Sequence, residues 1–294
     1  PAAAGCAGAR LARRLGWPLI LDYRDPWSAY PWPARRMGHR SRWLAHWLES
    51  ACVRQSRARV FSTASMAQWF EHYFPDLPSR DNAVITNGFD AQAAAPPPAP
   101  GPSRIVYAGH LYTERSLVPV LRAIAGLAAR GPAHPPVELV FYGDLPAHER
   151  ERIRAAGLEK YLTVHGRLPW RELFVELQRA PALLAISGDD VTYAVPYKVY
   201  DYLSAGRPIL ALTSVGTALH HFIEESAAGL CANPADVLEI EQALEALLYP
   251  DGAPVRARAP ERYHWSALAQ QYHRVIERSL EAPVALTQAW QLQR

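Results

Sequence analysis

The sequence predicts an α/β protein built from two Rossmann-like lobes, of which the first is incomplete. Its 294 residues leave room for two α/β domains, since such domains usually take about 100–200 residues each. Short apolar runs alternate with amphipathic stretches, which is typical of parallel strands joined by helices that cover both faces of a sheet. One proline-rich segment divides this pattern into two parts, and we interpret it as the boundary between the lobes.

The first lobe is assigned to residues 1–90. Its predicted elements are a helix over 1–16, a strand over 18–23, a helix over 41–55, a strand over 58–62, a helix over 65–73 and a strand over 83–87. The opening helix has neither an initiator Met nor the apolar core and small-residue cleavage site of a signal peptide. We therefore interpret residue 1 as an internal position of a longer protein.

A linker over 91–103 is predicted to separate the first lobe from a second lobe over 104–270. The linker reads AQAAAPPPAPGPS, and its five prolines favour an extended, semi-rigid spacer. Strands are predicted at 104–109, 137–143, 162–166, 182–187 and 208–212, and helices at 116–129, 147–156, 170–178, 198–205, 218–225 and 237–248. A doubly wound sheet of this kind binds ligands at the carboxyl ends of its strands. The remaining residues, 271–294, form a helical segment without an assigned role.

The composition excludes several classes of protein. The 49% hydrophobic content excludes global disorder, and a net charge of +3 gives no reason to expect a nucleic-acid partner. The three cysteines are widely spaced, which argues against a disulfide framework or a Cys-based zinc site and favours a reducing compartment such as the cytoplasm. No apolar run reaches the roughly 18–20 residues that span a bilayer.

The first candidate site begins at Gly109, directly after a predicted strand. A glycine at a strand end lets the backbone approach a ligand closely, and the amino end of the following helix favours an anion there. His110 comes next, and Arg115 would add a fixed positive charge beside the same point. The alternative interpretation is an ordinary strand–loop–helix turn with a solvated arginine.

The second candidate site lies in VPYKVYDYLSAGRP, residues 195–208. Pro196 suits the first turn of a helix, so Lys198 would stand near the amino end of that helix. Lys198 and Asp201 are three residues apart and therefore share one helical face. A lysine there can neutralise a diphosphate, and a carboxylate one turn later can accept hydrogen bonds from ribose hydroxyls. A surface ion pair on an amphipathic helix is the alternative.

Six segments together carry a resemblance to a known family. VPYKVYDYLSAGRPILAL resembles the donor-site signature of GT-B glycosyltransferases of the family 4 (group 1) type. Further segments that resemble this family are ILDYRDPW (20–27), AVITNGFD (83–90), IVYAGHL (105–111), HGRLPWREL (165–173) and ESAAGLCANPAD (225–236). The segments follow the order of the family from about residue 18 to 248, and this order is more persuasive than any single match.

The resemblance implies a role for each matching residue. Arg115 and Lys198 would be the catalytic residues, because they would hold the donor diphosphate and stabilise the negative charge that grows on it as it departs. Asp201 would bind the ribose. The other donor-binding residues would be Gly109, His110, Gly143, Asp144, Arg167, Leu168, Pro196 and Tyr197. On the acceptor side, the residues facing the interlobe cleft would be Asp22, Arg24 and Asp25.

The sequence departs from the family pattern at several positions. Asp201 stands where the family usually has glutamate, Tyr193 stands at the position of an earlier glutamate, and His110 replaces the arginine that usually follows the lobe-opening glycine. Asp189 and Asp190 are near Tyr193 but out of register. The shorter aspartate puts donor affinity in question. The first lobe's opening strand and acceptor-side glycine loop are missing, so we expect a longer chain to be needed for activity.

A membrane contact is predicted for residues 34–47, ARRMGHRSRWLAHW. This segment combines four arginines with two tryptophans, and such segments can lie on an anionic membrane surface with tryptophan at the interface. That location, the inner face of the plasma membrane, would suit a lipid-linked or envelope acceptor. The alternative is an exposed helix that covers the first lobe with its arginines in water.

The predicted function is transfer of a hexose from a UDP- or GDP-linked donor to an envelope polysaccharide or glycolipid, that is, to a saccharide or lipid-linked acceptor. The resemblance implies retention of anomeric configuration. No protein-bound metal and no cofactor besides the nucleoside diphosphate sugar as co-substrate is expected, because the sequence has neither a DxD motif nor an HExxH zinc motif. Two alternatives stay open: an isomerase like the UDP-N-acetylglucosamine 2-epimerases, and a non-catalytic relative that binds nucleotide sugars.

Overall fold

The computed structural model describes residues 2–28, 38–76, 82–90, 103–112, 115–131, 136–188, 191–249 and 260–281. The chain divides into two compact units, one of residues 1–86 together with 266–294 and one of residues 87–265. Both units contain a parallel β-sheet with helices. The predicted linker falls almost entirely outside the described residues, as do Asp189 and Asp190 and the first part of the 34–47 segment.

The first unit has a three-stranded parallel sheet in the order β1–β2–β3. Its strands are β1 Leu19–Tyr23, β2 Ser56–Phe61 and β3 Asn82–Val84, and its helices in the first segment are α1 Ala2–Leu15, α2 His39–Gln55 and α3 Ala64–Tyr73. Thr63 marks the start of α3, since its side chain accepts a hydrogen bond from the Met66 amide. Strand β3 ends at Val84, so it is shorter than the strand predicted over 83–87.

The cysteines of the first unit lie where α1 and α2 contact each other. The Sγ atoms of Cys6 on α1 and Cys52 on α2 are 4.0 Å apart. Both are free thiols, and so is Cys231 in the second unit. Burial raises the pKa of the Cys52 thiol to about 12, with a further contribution from Cys6. Cys52 is therefore a thiol at neutral pH, not a thiolate.

The C-terminal helix α10, Trp265–Glu281, belongs to the first unit. Its Leu268 and Val275 are buried in one cluster with Val60 of β2 and with Ile85. The division drawn from the sequence differs here, because it ends the second lobe at residue 270 and treats 271–294 as a separate segment. Apolar periodicity identifies a helix, but it does not specify which of two sheets that helix covers.

The second unit has a six-stranded parallel sheet in the order β6–β5–β4–β7–β8–β9. The strands are β4 Ser103–Ala108, β5 Val137–Tyr142, β6 Leu162–His165, β7 Ala182–Ile186, β8 Ile209–Leu212 and β9 Gly229–Ala232. The helices are α4 Val118–Ala129, α5 Ala147–Ala155, α6 Trp170–Arg179, α7 Lys198–Ser204, α8 Ala218–Ser226 and α9 Val237–Leu248. Thr217 and Asp236 begin α8 and α9 as side-chain caps.

Strand β9 was not among the predicted strands. It has only four residues, GLCA, and pairs in parallel with β8. A Cβ atom at Gly229 would lie 1.9 Å from the carbonyl oxygen of Ile209, so only glycine permits this approach of the two strands. A short strand that opens with glycine lacks the β-branched run on which strand prediction depends.

The two faces of the second sheet are covered by separate clusters of apolar side chains. Along β4, Ile105 and Tyr107 join the cluster that includes α4 and α9, whereas Val106 and Ala108 join the cluster that includes α7 and α8. The chain runs outward from β4 to β5 and β6 and then returns to β7 on the other side of β4. The carboxyl ends of β4 and β7 thus form the topological switch point, where doubly wound sheets bind ligands.

None of the helices in the described part of the chain combines the length and the apolar character needed to cross a bilayer.

Candidate functional site

Two glycine turns bring backbone together at the carboxyl edge of the second sheet. Gly109 follows β4 with φ +104°, and Gly143 follows β5 with φ +144°. The Gly109 amide donates to the Tyr142 carbonyl at 2.8 Å, and the Gly143 amide donates to the His165 carbonyl at 3.1 Å. A Cβ atom at position 143 would lie 2.6 Å from the Gly109 carbonyl oxygen. Position 143 therefore excludes any side chain, and the edge consists of bare backbone.

Lys198 is the first residue of α7, and it reaches over Gly109 to the ring of Tyr107. Its Nζ atom lies 3.7 Å from the centroid of that ring and 3.4 Å from the position a Cβ would occupy on Gly109. The Nζ atom is inaccessible to solvent and has no hydrogen-bond partner among the described residues. Burial, and secondarily the charge of Arg115, lower the pKa of Lys198 to about 7. An anion placed here would restore the stability of the ammonium form.

Arg115 lies close enough to act on both Tyr107 and Lys198. Its guanidinium carbon is 4.9 Å from the centroid of the Tyr112 ring, and its charge acts to lower the pKa of the Tyr107 phenol. Burial raises the pKa of Tyr107 to about 12 in spite of this cation. The structure thus brings the two predicted catalytic cations to the same tyrosine, although Thr113 and Glu114 of this loop lie outside the described residues.

Asp201 lies one helical turn after Lys198 on α7. Burial raises the pKa of the Asp201 carboxyl to about 6. The carboxylate is therefore ionised at pH 7, but its ionisation is less favourable than that of a solvated aspartate. Hydroxyl donors stabilise a partly desolvated carboxylate, because hydrogen bonds to its charged form offset the loss of hydration.

Helix α7 is anchored to β4 by a buried hydrogen bond. The phenol oxygen of Tyr202 accepts from the amide of Ala108 at 2.9 Å, and the Tyr202 side chain is fully buried. This bond joins the helix that carries Lys198 and Asp201 to the strand that ends at Gly109. The sequence gives no sign of this role for Tyr202, because its hydrogen-bond partner lies 94 residues away.

The predicted donor-binding residues His110, Pro196 and Tyr197 lie close in sequence to Gly109 and Lys198. The ring of His110 is exposed, and its carbonyl accepts the Tyr107 phenol proton at 2.8 Å. Pro196 precedes α7, and its carbonyl accepts from the Val199 amide at 2.9 Å. Tyr197 is 53% exposed; burial and the nearby Asp201 carboxylate raise the pKa of its phenol.

Asp144 and Arg167 form an ion pair at the ends of β5 and β6. The Asp144 Oδ2 and Arg167 Nη2 atoms are 2.6 Å apart, and both side chains are more than half exposed. Among the described residues, neither forms a hydrogen bond or ion pair with Lys198 or Arg115. Leu168 is half-buried against the cluster below α6 and α7. The predicted contact of Arg167 and Leu168 with the nucleobase stays a prediction.

Glu149 is a site-positioning residue that the sequence analysis missed. Its carboxylate accepts from the Ser116 hydroxyl at 2.8 Å and from the Leu117 amide at 2.7 Å, and its side chain is completely buried. These two partners follow Arg115 directly, so Glu149 holds the segment that carries this cation. Helix α5 has the polar sequence AHERERIRA, in which a glutamate is expected to contact solvent. The buried Ile153, four residues later on the same face, is the signal that could have revealed it.

The three predicted acceptor-side residues lie at the carboxyl end of β1, in the first unit. Arg24 pairs with Asp22 at 2.9 Å and donates to the Ile85 carbonyl at 3.2 Å. The phenol of Tyr272, on α10, donates to the Asp22 carboxylate at 2.8 Å. Burial raises the pKa of Asp22, with Arg24 offsetting part of the rise, and burial also raises the pKa of Asp25. The sequence did not predict the hydrogen bond from Tyr272 to Asp22.

One group of side chains in the described part of the chain has potential metal-ligating atoms close together. His220, His221 and Glu224 on α8 have ligand atoms within 4.8 Å of one another. His220 Nδ1 already lies 3.2 Å from a Glu224 oxygen, and His221 and Glu224 are more than half exposed. An i,i+4 ion pair on a helix surface accounts for this arrangement. That donor transfer needs no protein-bound metal stays a prediction.

Comparison with known proteins identifies relatives at the level of sequence. The family model described as Glycosyl transferases group 1 matches residues 102–249, which are 148 of the 294 residues. The chain is 28% identical over 255 residues to the glycogen synthase of Mycobacterium tuberculosis (strain CDC 1551 / Oshkosh), in an alignment that covers 80% of this chain and 59% of that protein. The chain therefore spans 59% of the length of the curated relatives it matches.

Solved structures similar to this chain cover both units. The sucrose-phosphate synthase from Thermosynechococcus elongatus matches with a TM-score of 0.67 and 16% identity, over 95% of this chain and 72% of that one. Anabaena HepE in complex with UDP-glucose matches with a TM-score of 0.69 and 13% identity, over 95% of this chain and 77% of that one. At these identities the similarity establishes the fold alone.

Proposed function

The chain belongs to the group 1 glycosyl transferases, and we propose that it moves a hexose from a nucleoside diphosphate sugar to an acceptor. The predicted GT-B fold class is confirmed by the structural neighbours. The observation that carries the proposal is the pair of cations at the switch point of the second sheet. Lys198 is buried there without a hydrogen-bond partner among the described residues, beside the charge of Arg115. Two adjacent cations with no carboxylate bonded to Lys198 form a site for a multivalent anion.

The chemistry follows from the charge that develops when a glycosyl–phosphate bond breaks. The leaving nucleoside diphosphate gains negative charge, and preplaced cations stabilise it without reorganisation. Lys198 would take up a proton as the diphosphate binds, because a nearby anion favours its ammonium form. The bare backbone at Gly109 and Gly143 would let the donor approach the sheet edge closely. These groups are suited to stabilising a leaving group, and the acceptor hydroxyl would supply the nucleophile.

The donor is proposed to be UDP- or GDP-linked, with Asp201 binding the ribose. The position and partial burial of Asp201, one turn after Lys198, support this role. Anabaena HepE is in complex with UDP-glucose, so uridine donors are the first to try. Retention of anomeric configuration is proposed from the family resemblance.

The acceptor is proposed to be a saccharide or a lipid-linked saccharide at a membrane surface. The described part of the 34–47 segment supports this, because Trp43 is 67% and Trp47 is 44% exposed on α2, beside Arg40 and Arg42. Exposed tryptophans with flanking arginines suit an anionic interface. Co-sedimentation with phosphatidylglycerol vesicles tests the contact. The double variant Trp43→Ala/Trp47→Ala should lose binding, and Trp170→Ala, which removes an exposed tryptophan of the second unit, should keep it.

Calorimetric titration with UDP and with GDP tests the donor site. Asp201→Asn should weaken the binding of the preferred nucleotide, whereas Asp76→Asn, an exposed aspartate of the first unit, should leave it unchanged. Lys198→Ala should remove most transferase activity without loss of folded structure. An unchanged dissociation constant in Asp201→Asn would contradict the ribose contact, and wild-type turnover in Lys198→Ala would contradict the catalytic assignment.

The same experiments separate the two alternative functions. Binding of UDP or GDP without transfer to any acceptor would identify a non-catalytic relative that binds nucleotide sugars, and binding of neither nucleotide would indicate a decayed site. Conversion of a UDP-sugar to its epimer without any acceptor present would identify an isomerase. Formation of a new glycosidic bond only when donor and acceptor are both present would establish transfer.

A further inference from the structure

Tyr107 lies at the centre of the donor site, although its side chain is fully buried in β4. Its ring stacks on that of Phe141 in the neighbouring strand, with centroids 5.3 Å apart and planes within 7° of each other. Both side chains belong to the cluster that α4 and α9 cover. Stacking within a closely packed core holds the ring in one orientation, so Tyr107 offers a fixed surface to whatever contacts it.

Lys198 contacts this ring from the opposite side of the sheet. Helix α7 packs on the cluster formed by Val106 and Ala108, whereas Tyr107 points to the other cluster. The lysine therefore has to cross the strand end at Gly109, where no side chain obstructs it, to place Nζ 3.7 Å from the ring centroid. A cation over an aromatic face is held by the ring quadrupole, and the interaction strengthens when the cation is desolvated.

The phenol oxygen of Tyr107 lies within the influence of the second cation, Arg115. It donates its proton to the His110 carbonyl at 2.8 Å, which directs its lone pairs elsewhere. The charge of Arg115 acts on the same phenol and favours its ionised form, so we infer that the guanidinium donates to this oxygen. Donation to a carbonyl makes the oxygen a better acceptor, because hydrogen bonds in series polarise one another. Phenylalanine at this position would supply the ring but not this oxygen.

We propose that Tyr107 is the positioning residue that fixes Lys198 through its ring and Arg115 through its phenol, so that both cations converge on one donor diphosphate. The inference rests on the proposed function, since it assigns a task to the site that binds the donor. Tyr107 itself would not touch the donor. Two like charges near each other repel, and separate attachments to one rigid side chain would keep them together before a donor binds.

The ring contact can be measured directly because the chain has only two lysines, Lys160 and Lys198. Protein labelled with ¹³C at lysine Cε gives two signals, and Lys160→Arg assigns them. In the wild type, the Lys198 Hε protons should be shifted upfield by the ring, and Tyr107→Phe should keep this shift. Tyr107→Leu should abolish it and change the titration midpoint of Lys198. The absence of an upfield shift in the wild type would overturn the ring contact even if Tyr107→Leu failed to fold.

The phenol contact is tested by a double-mutant cycle on nucleotide binding. We expect Tyr107→Phe to weaken binding about tenfold, which is the usual size for one hydrogen bond to a charged group. Arg115→Ala should weaken it at least as much, and adding Tyr107→Phe to Arg115→Ala should cause no further loss. Fully additive losses would overturn the assignment, because a merely structural tyrosine would act independently of Arg115.

Failure of this inference is distinguishable from failure of the proposed function. The NMR experiment uses the ligand-free protein, so it reports on the Tyr107–Lys198 contact even if no nucleotide binds. A normal upfield shift without nucleotide binding would refute the donor site and keep the ring contact. Nucleotide binding that is unaffected by Tyr107→Phe and by Tyr107→Leu would keep the donor site and refute the positioning role.

Discussion

Donor affinity is expected to depend on pH through Lys198. The pKa of this lysine is about 7, because its Nζ atom is buried and lies near Arg115. A bound diphosphate favours the ammonium form, so binding above pH 7 requires uptake of a proton. The sign follows directly: affinity is highest where the lysine is already protonated, and it falls as the pH rises through 7.

The size of the change in affinity follows from the fraction of the protein in which Lys198 is protonated. Between pH 6.5 and 8.5 the apparent dissociation constant should rise about 25-fold, provided that the pKa of the bound form is well above this range. Asp201, whose pKa is raised to about 6 by burial, acts in the opposite direction. Its ionisation is already about three-quarters complete at pH 6.5, so it should improve affinity by only about 1.3-fold over the same interval.

Calorimetry with a nucleoside diphosphate sugar measures both affinity and proton uptake. The diphosphate of such a donor does not titrate in this pH range. Repeating the titration in two buffers with different ionisation enthalpies should reveal uptake of about 0.9 proton at pH 8. Lys198→Met should bind more weakly and lose the uptake, and Lys160→Met, which removes the exposed lysine, should behave as the wild type does. Affinity that is flat from pH 6.5 to 8.5, with the same enthalpy in both buffers, would refute the reasoning.

Three further predictions concern the groups that support the site. Tyr202→Phe leaves the buried amide at the end of β4 without its acceptor. In urea titrations it should lower the free energy of unfolding by about 1–3 kcal/mol. An unchanged midpoint would mean that another group accepts the hydrogen bond from this amide. Gly143→Ala places a Cβ against the Gly109 carbonyl at φ +144° and should lower the melting temperature and donor affinity. Gly131→Ala is also at positive φ but has open space around it. It should lower the melting temperature by less than Gly143→Ala does, because it adds backbone strain alone. Glu149→Gln removes the buried charge that holds the start of α4 and should cost about 1.5–3 kcal/mol; stability equal to that of the wild type would show that the carboxylate is not needed.

Local patterns were sufficient to predict the α-helices and five of the six strands that the structure describes in the second unit. Pro196 before a helix and glycine after a strand are signals contained in a few neighbouring residues, and the structure brings Gly109, Arg115 and Lys198 together as that local order suggests. Strand β9 escaped prediction because the approach of Gly229 to Ile209 is visible only when both strands are in place.

The supporting residues of the site could not be predicted, because their partners are distant in sequence. Tyr202 bonds an amide 94 residues away, and Tyr272 bonds Asp22 across 250 residues. Glu149 stands in a polar helix, where Ile153 four residues later marks the buried face but does not identify the partners of the carboxylate. The hydrophobic effect is non-directional, so an apolar pattern predicts burial but does not specify the partner.

The pairing of α10 with the N-terminal segment has a consequence for biosynthesis. The second unit is continuous in sequence, whereas the first is assembled from residues on both sides of it. During translation the second unit can be complete while the first still lacks the helix that covers Val60 and Ile85. A nascent chain or a truncation that stops near Trp265 would leave that apolar sheet face exposed to solvent and available to chaperones.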